Sequence, residues 1–248
     1  MTTVLKLGGS VITDKDQPET VDRDALEHAS ETIARHEHAD LVLVHGGGSF
    51  GHHHATEHAV SRTAGTHDTD ATRAIHEAMK SLNRIVIDAL ATEGIPALPV
   101  HPLSVGTRTV DGELLLSTQQ VQTMLEEGFV PVLHGDVIAH AREGTTIVSG
   151  DELVRVLATD LDAERVGLCS AVPGVLDAGA VVPDIDTFAD VAHALGASES
   201  TDVTGGMAAK VRALLALETP AFVFDREGIG PFLEGESPGT RIGFESGM

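Results

Sequence analysis

Three lysines and three glycine turns hold most of the chemistry that this sequence can do. Lys6 precedes Gly8-Gly9-Ser10, and Lys15 lies in the polar stretch after it. Lys210 follows Thr204-Gly205-Gly206. The third turn, Gly46-Gly47-Gly48, ends the apolar run Leu41-Val42-Leu43-Val44 and leads through Ser49-Phe50-Gly51 to His52. Consecutive glycines remove every Cβ, so bare backbone N–H groups can close on a phosphate. A helix starting near Phe50 would add its partial positive end, and His52 on its first turn could donate to the same anion. An ammonium group is a compact charge that can follow a phosphoryl group between two oxygens. Together these residues point to holding phosphate groups and moving one of them.

The lysines are informative because there are so few. Lys6, Lys15, Lys80 and Lys210 are the whole set, and only Lys80, in the middle of a helical pattern, is far from a glycine turn or its loop. Each glycine turn alone also reads as an ordinary strand end. None closes with Gly-Lys-Ser/Thr and none is a dinucleotide fingerprint. Gly48-Ser49-Phe50-Gly51 is not a nucleophile elbow, and His-Glu-x-x-His is absent. His54 and His58 have helical metal-ligand spacing, but no third ligand with matching spacing stands out, so no protein metal site is expected. Asp151, in Ser149-Gly150-Asp151-Glu152, reads either as a helix N-cap or as a carboxylate that fixes the lysines or a magnesium ion. Asp136, after His134-Gly135, has the same two readings.

Strands are expected at 4–7, 40–44, 95–100, 129–134, 144–148, 165–169, 221–224 and 239–242, with a β-ribbon at 110–116. Helices are expected at 22–36, 70–93, 118–127, 149–159, 188–195 and 207–216, and from about Phe50. The stretch 11–20 reads as a loop, and 55–69 as a partly mobile cover. Ile75, Met79, Leu82 and Ile85 lie on the apolar stripe of the helix 70–93. They are either plain core or the wall of an apolar pocket. Strands alternating with helices, with glycines at strand ends, give an α/β fold: an open, mostly parallel sheet sandwiched by helices. A soft boundary near residue 160 divides lobes 1–160 and 161–248.

The 248 residues carry 38 Asp+Glu against 16 Lys+Arg, a net charge of −22, with no Trp or Tyr. Such a surface suits a salt-rich cytoplasm, where molar salt screens carboxylate repulsion over about 3 Å. It excludes nucleic acid as a partner, since no basic stripe exists to displace counterions. The single cysteine, Cys169, precludes an internal disulfide and suits a reducing compartment. With no leader pattern and no apolar run of about 18 residues, a cytoplasmic protein without membrane contact is expected.

With these residues in view, the chain resembles the amino acid kinase superfamily, and within it the archaeal-type isopentenyl phosphate kinases. The resemblance rests on Lys6-Leu7-Gly8-Gly9-Ser10, Gly46-Gly47-Gly48, Ser149-Gly150-Asp151-Glu152, the turn Ser170 to Val175, Thr204-Gly205-Gly206-Met207 with Lys210, and Gly239-Thr240. Val11-Ile12-Thr13-Asp14-Lys15, Gly48 to His52 and Pro131 to Asp136 match the phosphate-acceptor branch. Val175 to Ala180 departs from the family, lacking its Tyr and Lys-Asp-Pro run.

The resemblance implies an ATP- and Mg²⁺-dependent phosphotransferase that converts isopentenyl phosphate to isopentenyl diphosphate, as a homodimer. By the same resemblance, Lys6, Lys15, Lys210 and Asp151 are catalytic. Gly8, Gly9, Gly46, Gly47, Gly48, Gly51 and His52 bind the acceptor. Lys6, Gly9, Ser170, Gly174, Gly205, Gly206 and Lys210 bind the nucleotide. Lobe 1–160 would hold the acceptor and lobe 161–248 the nucleotide. The alternatives are a same-fold kinase for another phosphate or phosphonate such as fosfomycin, and a non-catalytic nucleotide sensor.

Overall fold

A computed structural model describes residues 2–36, 39–195 and 206–243. The chain opens with β1 (Thr3–Leu7), the helical turn α1 (Gly9–Ile12) and α2 (Arg23–Ala34). β2 (Leu41–His45), α3 (Gly48–Glu57), α4 (Thr69–Thr92) and β3 (Ala97–Pro99) follow. Short elements come next: α5 (Pro102–Val105), β4 (Gly106–Arg108), β5 (Leu114–Leu116) and α6 (Gln119–Glu126). β6 (Val130–His134) runs into the hairpin β7 (Asp136–His140) and β8 (Gly144–Val148), then α7 (Gly150–Asp160) and β9 (Arg165–Cys169). The remainder holds β10 (Leu176–Asp177), β11 (Ala180–Val181), β12 (Asp184–Ile185), α8 (Ala192–Leu195), α9 (Gly206–Leu215), β13 (Ala221–Phe224), α10 (Ile229–Leu233) and β14 (Thr240–Ile242).

The main sheet has the order β12-β14-β13-β9-β1-β2-β6-β3. It is parallel from β3 to β13, and β14 is antiparallel to β13. Alternate side chains of the central strands enter opposite layers, as the pleat requires. Val4, Val42 and Val44 pack with Leu153, Leu157 and Val211 of α7 and α9. Leu5, Leu7, Leu41 and Leu43 pack with Leu26, Ile33, Leu82 and Leu90 of α2 and α4. Fully burying each such aliphatic side chain is worth about 1.5–3 kcal/mol, which lets an aromatic-poor chain build a two-sided core. Chain direction across the sheet reverses at β1: its successor β2 lies on one side and β9 on the other. In open α/β sheets that switch point, at the carboxyl ends of the strands, is where ligands sit.

Several elements differ from the sequence reading. The loop after β1 begins with α1, because burial of Val11 and Ile12 and the bond from the Thr13 N–H to the Gly9 carbonyl wind it into one turn. α3 continues through Glu57, and the segment after it is tied down by backbone bonds from Ile147 to Ser61 and between Thr66 and Thr145. Asp136 does not end the β6 region at a helix; it starts β7. The ribbon pairs β4 with β5 across the turn at Asp111-Gly112, so it begins earlier than expected. Phe188 to Leu195 is a 3-10 turn and then α8.

Candidate active site

A cavity of about 830 Å³ opens at the switch point. Lys6, Lys15, Lys210, Asp151, Gly8, Gly9, Gly46, Gly47, Gly48, Gly51, His52 and Ser170 all line it, although they come from widely separated stretches of chain. Gly206 and Gly174 are not on this wall. Gly174 packs where a Cβ would meet the Thr240 Oγ1 at 2.6 Å. Gly205 and Thr204 lie outside the described residues.

The glycines of the first two turns are back to back. A Cβ on Gly9 would sit 2.2 Å from the Gly48 nitrogen, and one on Gly46 would sit 2.5 Å from the Gly9 nitrogen. Close approach of two backbones therefore demands glycine at these positions, and Gly48 also has a φ of +48°. Among the described residues none accepts a hydrogen bond from the N–H groups of Gly9, Ser10, Gly47, Gly48, Gly150 or Asp151. All six residues line the cavity, at the first turns of α1, α3 and α7. Converging N-terminal donors of this kind form a cradle for an anion.

The lysines add the mobile charge. Lys6 points from β1 toward the N-terminus of α7, where its Nζ donates to Asp151 Oδ1 at 2.6 Å. Their side chains are 10% and 20% exposed. Burial would raise the Asp151 pKa, but the Lys6 and Lys210 charges and the Lys6 hydrogen bond hold it below its usual value. Asp151 is therefore an anion that couples two lysines. It is not the N-cap: Ser149 caps α7, in a reciprocal box with Glu152. Gly150 leaves room for the lysine, since a Cβ there would meet Lys6 Cε at 2.9 Å.

Arg108 braces this turn from outside. Its guanidinium donates to Glu152 Oε1 and the Gly112 carbonyl, each at 3.0 Å, and to the Ile147 carbonyl at 3.1 Å. The spacing Ser149-x-x-Glu152 was a readable capping signal; the Arg108 brace, drawn from a distant ribbon, had none.

His52 and Lys15 also line the cavity, with Asp16 and Pro18. Ile75 and Met79, each 1% exposed, form an apolar part of its wall. Leu82 is core, and Ile85 packs against the core. The Met79 sulfur would lie 2.8 Å from a Cβ on Gly51, so that glycine lets α4 close on α3. Buried Asp136 accepts from His76 Nδ1 at 2.9 Å; burial raises its pKa, and His76 opposes the rise. Burial pushes the Cys169 thiol up to about 12, which removes it as a nucleophile. Lys80 pairs with Glu77 at 3.0 Å, away from the cavity.

His54 and His58 gain a neighbour the sequence reading had not paired with them. Glu57 completes a group whose possible ligand atoms lie within 4.8 Å of one another, the sole such group among the described residues. His54 Nε2 is already engaged by Glu19 at 2.5 Å. Of this group, Glu57 lines the cavity.

Comparison with known proteins agrees with this geometry. A model of the amino acid kinase family matches residues 1–224. The chain is 64% identical over 241 residues to the isopentenyl phosphate kinase of Haloferax volcanii, covering 96% of this chain and 97% of the relative. It is 34% identical to the isopentenyl phosphate kinase of Methanocaldococcus jannaschii, covering 98% and 99%. A solved structure described as "X-ray structures of isopentenyl phosphate kinase" superimposes with a TM-score of 0.83 at 31% identity, over 98% of this chain and 100% of that one. The chain belongs to the amino acid kinase family.

Proposed function

We propose that this chain transfers the γ-phosphoryl group of ATP to isopentenyl phosphate, giving isopentenyl diphosphate and ADP. The observation that carries the reading is one cavity in which Lys6, Lys15, Lys210 and His52 meet unbonded helix N-terminal donors beside an apolar wall. That combination suits an acceptor with a phosphate head and a short hydrocarbon tail. The relatives named above carry the same activity in their names.

An acceptor that is already a phosphate monoester needs no general base, because its second pKa is about 6. Asp151 is engaged by Lys6 and is not assigned that role. The task is to hold two repelling anions in line and neutralise the group in flight. We assign His52, Gly51 and the Gly46-Gly47-Gly48 turn to the acceptor phosphate, with Gly8 and Gly9 beside it. Lys6, Lys15 and Lys210 serve the moving group and the nucleotide phosphates, together with Ser170, while Gly206, off the cavity wall, starts the helix α9 that carries Lys210. Asp151 orients Lys6 and Lys210.

Carboxylates on the cavity wall are Asp16, Glu57, Asp136 and Asp151. They supply no cage around the lysines, which fits a Mg²⁺ ion held mainly by nucleotide phosphates, where it would supply charge neutralisation. The lobes 1–160 and 161–248 are assigned to acceptor and nucleotide, in a cytoplasmic homodimer adapted to salt. No described helix is long and apolar enough to cross a membrane.

The test is ADP formation in molar KCl with Mg-ATP and isopentenyl phosphate, dimethylallyl phosphate, fosfomycin, UMP, aspartate or acetylglutamate. Turnover should be confined to isopentenyl phosphate and its isomer. His52→Ala should raise the acceptor KM about tenfold or more while leaving the ATP KM near wild type. Turnover of fosfomycin or UMP alone would reassign the acceptor. Folded protein that binds ATP and turns over nothing would be a nucleotide sensor.

A further inference from the structure

Two neighbouring strand ends repeat one arrangement. His45 of β2 lies opposite His134 of β6 in the parallel register, and each is followed by glycine. Each ring places Nδ1 against the carbonyl oxygen of that glycine, at 3.1 Å for His45 on Gly46 and 2.9 Å for His134 on Gly135. A carbonyl only accepts, so Nδ1 carries the proton in both rings. The rings are 1% and 0% exposed and stack with centroids 5.5 Å apart. His134 Nε2 is left to accept from His101 Nδ1 at 2.9 Å. Burial holds both rings neutral against the bonds to the glycine carbonyls, so they orient the Gly46 and Gly135 carbonyls without adding charge.

That direction matters because the Gly46 carbonyl and the Gly47 N–H belong to one planar trans peptide and point opposite ways. With the oxygen drawn to the buried His45 ring, the Gly47 N–H points away from it. Gly47 lines the cavity, and no described group accepts its proton. Three successive glycines would otherwise tolerate either orientation of this peptide. In the flipped one, a carbonyl oxygen would face the anion in place of a donor. The His134 ring fixes the Gly135–Asp136 peptide by its carbonyl in the same way; Gly135 also lines the cavity, and its own N–H, in the preceding peptide, reaches the His45 carbonyl at 3.0 Å.

We infer that His45 is a positioning residue: its Nδ1–H fixes the Gly46–Gly47 peptide so that the Gly47 N–H faces the acceptor phosphate, and His134 braces the adjacent turn in the same way. The inference rests on the phosphoryl-transfer reading above. Substrate need not touch either ring.

The experiment compares His45→Leu with His45→Asn in the isopentenyl phosphate assay, with thermal unfolding in molar KCl as the control for folding. Leucine fills the space without a donor, whereas the asparagine amide lies near the position of Nδ1. The acceptor KM should rise about 10- to 100-fold in His45→Leu and return most of the way in His45→Asn. A folded leucine variant with wild-type KM would overturn the inference. If the leucine variant does not fold, His45→Asn is set against His45→Gln, whose amide is displaced toward the Nε2 position. A lower acceptor KM for asparagine than for glutamine supports the role, and equal values overturn it. Wild-type protein without turnover would remove the kinase reading, and this inference with it. Wild-type turnover with an unmoved leucine variant would remove this inference alone.

Discussion

Asp151 joins an ion pair to the role proposed for it in phosphoryl transfer. It holds Lys6 at 2.6 Å from the first turn of α7 and feels Lys210 as well. Removing its charge leaves Lys6 largely buried beside an amide. Asp151→Asn should therefore cost about 1–3 kcal/mol of stability and lower kcat about tenfold or more, measured by denaturant melts and ADP release. The sign of its pH dependence follows from the depressed pKa. A carboxylate that is more acidic when folded stabilises above its unfolded value, 3.8, and loses that contribution as pH falls through the lower folded value. The unfolding midpoint of the wild type should fall more steeply below that pH than that of the variant. Parallel acid limbs would show that Lys6 and Asp151 are not coupled.

At the scale of elements, the site is a junction of helix starts packed too tightly for side chains. Gly9→Ala would drive a methyl group against the backbone of Gly48 at 2.2 Å, so α1 and α3 must separate. Overpacking of this kind costs about 1–3 kcal/mol, and kcat/KM should fall about tenfold or more as the donors spread. Gly94→Ala is the control. Its Cβ would meet nothing within 4 Å, though φ is +82°, so it should lose some stability and keep its kinetics.

Much of this junction was legible because strand-ending glycines and scarce lysines mark it directly. What escaped was short or distant. α1 spans too few residues to show a helical period, and β7 hides behind a single glycine pivot after β6. Arg108 reaches Glu152 across 44 positions that no local pattern connects. The His-Gly pairs at 45–46 and 134–135 were visible as letters, but their equivalence depends on a strand register that only the sheet supplies. Further along the chain, Gly174 matched the family motif yet packs on Thr240, and Gly205 falls outside the described residues.

For the whole molecule, a net charge of −22 must coexist with binding of polyanions. Contact-range donors and lysines act inside the cavity, while distant carboxylates repel from outside it. Their reach shrinks from about 30 Å at 0.01 M salt to about 3 Å at 1 M. Raising KCl from 0.1 M to 2 M should therefore raise the melting temperature and lower the KM for ATP, the reverse of an ordinary electrostatic site. A KM that climbs steadily with salt would place long-range attraction above the local cradle. The same economy in lysine has a practical side. Three of the chain's four lysines line one cavity, and the fourth sits on an outer helix face beside Glu77. Lysine acylation followed by peptide mass mapping would thus read almost entirely from the active cavity, with Lys80 as a built-in internal standard for reagent dose. Protection of three amines relative to one would turn a lysine-poor composition into an occupancy meter.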